Sequence, residues 1–175
     1  MCILNDRTDN ERAETAYTCL LDKLDIQYHY REHPPVNTIE EARKYWKDYD
    51  AGRCKNIFLR NHKGNKHYLV VLEHLRTLKM KDLESRLKQG KLTFASEKRL
   101  MKYLGLKPGS VSPFGLINDS EQHVHLFIDK MLLDFDNLSF HPNDNTASLI
   151  ISTKDFIRFL KHHGNTYEFL SLYDD

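Results

Sequence analysis

The eleven residues from position 105 to 115, Gly-Leu-Lys-Pro-Gly-Ser-Val-Ser-Pro-Phe-Gly, hold three glycines and two prolines, and no regular helix or strand can run through them. Glycine opens backbone angles closed to other residues, whereas proline fixes φ and removes an N–H donor. The segment must therefore be a shaped loop. Such a loop can aim backbone N–H groups at a ligand, which suits an oxyanion developing during acyl transfer. Composition alone equally allows a tight connection between a helix and a strand.

The flanking stretches carry two different periodicities. Asp9-Asn10 can cap a helix that runs to about Asp25, because Ala13, Ala16, Tyr17, Leu20, Leu21 and Leu24 recur at helical spacing. Ile26 to Arg31 reads as a short strand ended by His33-Pro34-Pro35, and Thr38 with Glu41 forms a capping-box pattern for a second helix. Lys55 to Arg60 and His67 to Leu72 read as a hairpin joined by the turn residues 61–65. Helices are expected over Leu78–Leu87, Ser96–Leu104 and Thr153–His163, and strands over His123–Ile128, Leu132–Phe135, Ala147–Ser152 and Tyr167–Leu170. This mixture lacks the regular strand–helix alternation of a doubly wound fold. An α+β (mixed α/β) domain around a mostly antiparallel, barrel-like sheet is the expected architecture. The sequence shows no internal repeat, low-complexity tract or linker, so all 175 residues are read as one domain.

Composition narrows the function classes. A formal net charge of +1 is far from the strongly basic balance of a nucleic-acid coat protein, although a local basic patch would suffice for an RNA-processing enzyme. Cys2, Cys19 and Cys54 are odd in number with no CxxC spacing, which points to reduced thiols rather than a disulfide framework or a zinc site. No apolar run approaches a membrane span and the start lacks a signal-peptide pattern, so a cytoplasmic protein without a membrane partner is expected.

Several residues could carry chemistry. Lys55 at the start of an apolar strand can point into a cleft and hold a phosphate or carbonyl oxygen, or stand simply as a solvated strand-end charge. Asn56 beside it can both donate and accept. The polar turn from His141 to Ser148 offers His141, Asn145 and Thr146 as pocket-lining groups, or as a capped turn built on Asx and Thr side chains. His123 and His125 could place two imidazoles on one strand face, yet no third and fourth ligand follow at a metal-site spacing. There is no G-x-S-x-G elbow, Walker A loop or G-x-G-x-x-G fingerprint. Two basic clusters, Lys79, Lys81, Arg86, Lys88 and Lys91, then Lys98, Arg99 and Lys102, are either solvated helix faces or contacts for RNA phosphates.

Taken in order, these residues resemble the YbaK/ProX group of trans-editing proteins, related to the insertion editing domain of bacterial prolyl-tRNA synthetases. The resemblance rests on Lys55-Asn56-Ile57-Phe58-Leu59, the G-x-x-x-P element from Gly109 to Pro113, His141-Pro142 followed by Asn145-Thr146-Ala147, and the early His33-Pro34 with Thr38. It spans roughly Leu20 to Phe159. It implies hydrolysis of the ester in tRNA(Pro) mischarged with alanine, with no cofactor, no metal, a tRNA acceptor end as partner, prolyl-tRNA synthetase as a candidate partner and a monomeric state. By the same resemblance Lys55, Gly109, Ser110 and Pro113 are the catalytic set. Asn56, Phe114, His141, Asn145, Thr146 and His33 are expected to bind substrate. The alternatives are removal of cysteine, as in YbaK itself, and a non-catalytic module that binds tRNA or a synthetase.

Overall fold

The computed structural model describes residues 17–33, 50–76, 79–141 and 146–173. Helix α1, residues 17–23 in its described part, is broken by Asp25 in the left-handed region (φ 51°), and Ile26 N–H returns to the Leu21 carbonyl at 3.0 Å. That reversal buries Tyr17, Leu21 and Ile26 together. The elements that follow are β1 (Tyr28–Glu32), β2 (Gly52–Asn61), β3 (His67–Glu73), α2 (Met80–Leu87), β4 (Leu92–Phe94), α3 (Glu97–Leu104), a 3-10 turn at Pro113–Asn118 and β5 (Val124–Asp129). A second 3-10 turn at Lys130–Asp134 leads to β6 (Asn137–Phe140), β7 (Ala147–Ser152), α4 (Thr153–His163) and β8 (Tyr167–Leu170).

The eight strands form one sheet in the order β1-β7-β6-β2-β3-β5-β8, with β4 added beside β2. It is mixed: four ladders (β1·β7, β2·β3, β2·β4, β6·β7) are antiparallel and three (β2·β6, β3·β5, β5·β8) are parallel. The hairpin between β2 and β3 is set by Asn61, whose Oδ1 accepts from the Asn65 and Lys66 amides at 3.1 and 3.2 Å, with Gly64 at φ 70°.

Alternation along β2 and β3 divides the apolar residues between two layers. Phe58, Leu69 and Val71 face a core completed by α1, α3, the Pro113 turn and α4. Leu59, Val70 and Leu72 face a second layer capped by Leu83 and Leu87 of α2 and by Leu172. Phe114 sits at the centre of the first core, stacked on Tyr17 at 5.6 Å and edge-on to Phe140 and Phe159 at 5.7 and 5.2 Å.

One expectation from the sequence is corrected, and one strand lay outside it. Leu132–Phe135 is not a strand: the Asp129 carboxylate accepts from Met131 N–H at 3.3 Å and turns the chain into the 3-10 turn, so the strand forms only at Asn137. The three-residue β4 was not anticipated, because so short a stretch carries no readable alternation. The helix expected from Thr38 lies outside the described residues. Replacing Phe114 with Ala removes the ring that three other aromatics surround. The expected cost is about 3–5 kcal/mol in urea unfolding, and a loss under about 1 kcal/mol would contradict its central position.

Candidate active site

The 105–115 loop is held at both ends. Gly105 closes α3 in the left-handed region (φ 66°). At the other end, Pro113 occupies the first turn of a 3-10 helix whose cap, Ser112, accepts from Phe114 N–H at 3.3 Å through its hydroxyl. Gly115 has no room for a side chain, since a Cβ would lie 2.7 Å from Leu106 Cδ1 and 2.9 Å from the Leu104 carbonyl oxygen. Gly109 differs: at φ 87° it needs glycine's backbone freedom, and open space surrounds the position a Cβ would take. The Ser110 amide is used within the loop, donating to the Lys107 carbonyl at 3.1 Å. Among the described residues the amides of Gly109, Val111 and Ser112 donate to no protein acceptor. A loop pinned at its flanks with donors left over can offer them to an anion.

The middle of the loop is tied to β2. Asn56 Nδ2 donates to the Val111 carbonyl at 3.0 Å, which fixes the amide's orientation and leaves Asn56 Oδ1 buried without a hydrogen-bond partner. Lys55, one residue earlier, is exposed and by alternation points to the opposite face, the face of Ile57 and Leu59. Cys54, behind it, is held in the thiol form, its pKa raised by burial and by the nearby Glu73 carboxylate.

What brings these two faces to one place is a break in the sheet. β2 pairs with β6 only at Gly52–Leu138 and Arg53–Ser139. Beyond those pairs β2 continues with β3 and β6 with β7. Cys54 and Lys55 on one side, and Phe140 and His141 on the other, are thus the first residues past the point where β2–β6 pairing ends. Strands that part in this way can leave a crevice at the point of divergence, here on the face that carries Lys55, since Cys54 and Phe140 pack into the core on the other.

The far wall of that crevice is polar. Ser139 and Ser148 are buried. His33 Nε2 shares a hydrogen bond with Ser148 Oγ at 3.0 Å, while the His33 amide donates to the Thr146 carbonyl at 2.8 Å. His141 Nδ1–H donates to the Ala147 carbonyl at 3.3 Å, which makes Nδ1 the protonated ring nitrogen. The structure therefore gathers His33, His141 and Thr146 around the start of β7, and joins Asn56 to the loop of Gly109, Ser110 and Pro113. Asn145 lies outside the described residues. Phe114, expected to bind substrate, instead lies wholly in the core, where it anchors the loop. Ser139 and Ser148 were not singled out from the sequence. The available signal was their position at the β6 and β7 alternation, facing the lysine's side of the sheet.

The two histidines read as a possible metal pair have separate partners. His125 Nδ1 lies 2.7 Å from Thr166 Oγ1, and its Nε2 lies 3.3 Å from Glu168. His123 Nε2 lies 2.9 Å from His67 Nδ1, and Arg99 donates to His67 Nε2 at 2.7 Å. The guanidinium makes Nε2 an acceptor, so His67 Nδ1–H is the donor to His123. Burial chiefly, then the nearby His123, Arg99, Lys102 and Arg60 charges, hold the His67 pKa down to about 4.

The family model for the aminoacyl-tRNA editing domain matches residues 33–159. The prolyl-tRNA editing protein ProX of Acetoanaerobium sticklandii is 42% identical over 160 residues, covering 91% of this chain and 98% of that protein. Prolyl-tRNA synthetase associated domain-containing protein 1 of Xenopus laevis is 32% identical over 149 residues, 83% of this chain and 88% of its own. Among solved structures, one put forward as a trans-editing enzyme for prolyl tRNA synthetase superposes with a TM-score of 0.68 at 18% identity, over 94% of this chain and 98% of that one. That likeness extends to the fold, a mixed sheet with helices packed on it.

Two measurements check the geometry. Asn56→Ala leaves the Val111 carbonyl without its donor, with an expected loss of about 1–3 kcal/mol in urea unfolding; an unchanged midpoint would mean the tether is idle. His67 is neutral in the fold and titrates near its ordinary 6.5 when unfolded, so the unfolded chain binds more protons between about pH 6.5 and pH 4. Stability is therefore expected to fall as the pH drops through that window, and less steeply in His67→Phe; equal slopes in the two proteins would contradict the assignment.

Proposed function

Because the chain belongs to the aminoacyl-tRNA editing domain family, we propose that it is a trans-editing deacylase that removes alanine mistakenly esterified to tRNA(Pro). The observation that carries this reading is the Asn56–Val111 tether, which fixes the loop and its unused amides to the strand residue that follows the exposed Lys55.

In this reading Lys55 binds the phosphate or ribose of the terminal adenosine through its ammonium. The backbone of Gly109 to Pro113 polarises the ester carbonyl, and Ser110 keeps the loop's turn closed through its own amide. Water attacks the carbonyl carbon, the bond to the ribose oxygen breaks, and that oxygen takes up a proton. The products are free alanine and tRNA with its hydroxyl restored. The substrate's neighbouring 2′-hydroxyl, as the resemblance implies, assists in directing the water, so positioning and electrostatics replace a protein nucleophile. Asn56 Oδ1, buried and unpartnered, is an acceptor for a substrate N–H or O–H. His141 and Thr146 line the aminoacyl end, with Asn145 assigned there by the sequence alone, and His33 holds Ser148 in place behind them.

A pocket for alanine excludes proline by size, but a few heavy atoms change binding by only about 1–3 kcal/mol per methylene. Cysteine is thus the competing substrate. No helix is long and apolar enough to cross a membrane among the described residues. We assign a cytoplasmic monomer whose partners are the acceptor end of tRNA(Pro) and prolyl-tRNA synthetase, and the chemistry as drawn uses neither metal nor cofactor. The alternative is a module that binds tRNA without cleaving it.

The test is hydrolysis of Ala-tRNA(Pro), Cys-tRNA(Pro) and Pro-tRNA(Pro) by the purified protein. Alanine release alone is expected. Cysteine release alone moves the protein to the YbaK type, and tRNA binding with no release supports the binding module. Lys55→Ala is expected to lower kcat/KM by about 10²–10³ with an unchanged melting profile; retained turnover would remove Lys55 from the site.

A further inference from the structure

The structure sorts the chain's two basic clusters onto opposite sides of the sheet. Helix α3, which carries Lys98, Arg99 and Lys102, packs Leu100 and Leu104 into the core beneath Phe58, on the side away from Lys55. Its arginine is already used: Arg99 donates to the Gly64 carbonyl and to His67, both at 2.7 Å, fastening α3 to the β2–β3 turn. Helix α2 packs Leu83 and Leu87 on the other layer, against Leu59 and Ile57, and these share the face of β2 that presents Lys55. The outer surface of α2 and the Lys55 ammonium therefore look out from the same side of the molecule.

That surface has an uneven charge. Lys79, Lys81, Lys88 and Lys91 are exposed, with Asp82 as the one exposed acid in the segment. Glu84 is turned inward to accept from Leu92 N–H at 2.8 Å, and Arg86 donates to the Ser171 carbonyl at 3.1 Å. Among the described residues none of the four lysines is in an ion pair. Lys79 and Lys88 are the two caps of α2, Lys88 in the left-handed region (φ 51°), Lys81 lies in its first turn and Lys91 just beyond it, so the four ammonium groups are spread over the helix's length of about 12 Å. In a chain whose formal net charge is +1, this is a local excess of positive charge and not a share of a basic whole.

We infer that the exposed lysines in and flanking α2 form a track for the phosphate backbone of the substrate's acceptor stem, leading its single-stranded end to Lys55, and that α3 takes no part. The inference rests on the deacylase reading for the identity of the RNA. Ammonium groups spaced along a rigid helix bind phosphates without reading bases, so the track supplies affinity and register while the crevice supplies selectivity.

The experiment is binding of a labelled, uncharged RNA minihelix carrying the acceptor stem and its single-stranded end, followed by fluorescence anisotropy at several salt concentrations. Lys81→Glu/Lys88→Glu is expected to weaken binding about tenfold at low salt and to make log K against log salt shallower by about 2. Lys98→Glu/Lys102→Glu is expected to bind as the wild type does. The milder Lys81→Gln/Lys88→Gln pair, checked with the others by circular dichroism, separates charge from folding and is expected to show a smaller loss of the same kind. Wild-type affinity in the α2 variants, an equal loss in the α3 variant, or no binding by the wild type would each overturn the track. Binding that depends on α2 in a protein that releases no amino acid would leave the track standing and remove the deacylase. Deacylation with α2-independent binding would do the reverse.

Discussion

The side chain of Asn56 reaches across 55 positions of sequence to hold the Val111 carbonyl at 3.0 Å, and the shape of the site follows from that bond. A loop rich in glycine and proline has few contacts of its own with which to choose a conformation. Here the choice is imposed at three places: the left-handed Gly105 closing α3, the Ser112–Pro113 cap that sends Phe114 into the core, and Asn56 in the middle. Because a side-chain amide has two ends, committing Nδ2 to the loop turns Oδ1 away from it, buried and unsatisfied. Buried polar atoms are normally satisfied, and an orphan acceptor beside a preorganised loop is where a ligand's donor belongs.

The second constraint is the brevity of the β2–β6 ladder. Two paired positions are enough to place β6 and β7 beside β2, and the parting of the strands after Arg53 and Ser139 opens the sheet where Lys55 stands. One strand can thus fix a loop through one residue and offer a lysine through the next, although alternation sends the two side chains to opposite faces. The same division into faces separates α2 from α3, which makes one basic helix a neighbour of the site and the other part of its scaffold.

Much of this was legible in the sequence. The loop announces itself by composition, α3 and α4 by their periodicity, and β2, β3, β5 and β7 by runs of apolar residues. The misreadings have physical causes. Leu132 to Phe135 looks like a strand because Leu132 and Leu133 are apolar, yet Asp129 captures the Met131 amide and sets a turn first. Phe114 reads as a pocket residue from its place in the motif, and only the packing of Tyr17, Phe140 and Phe159 around it reveals an anchor. Ser148 and Ser139 could not be distinguished from ordinary strand serines, because what sets them apart is the pairing of β6 and β7 beside the gap, a relation between distant segments. The parallel ladder between β2 and β6 was invisible for the same reason.

In the proposed reaction the ester sits in the gap between β2 and β6, with its sugar end at Lys55 and its carbonyl at the loop. The most direct measurement is a crystal structure of the protein with a non-hydrolysable amide analogue of alanyl-adenosine. The analogue's carbonyl oxygen is expected within hydrogen-bond reach of a free amide among Gly109, Val111 and Ser112, and its ribose beside the Lys55 ammonium. An analogue seated elsewhere, or seated with its carbonyl turned away from the loop, would contradict this placement.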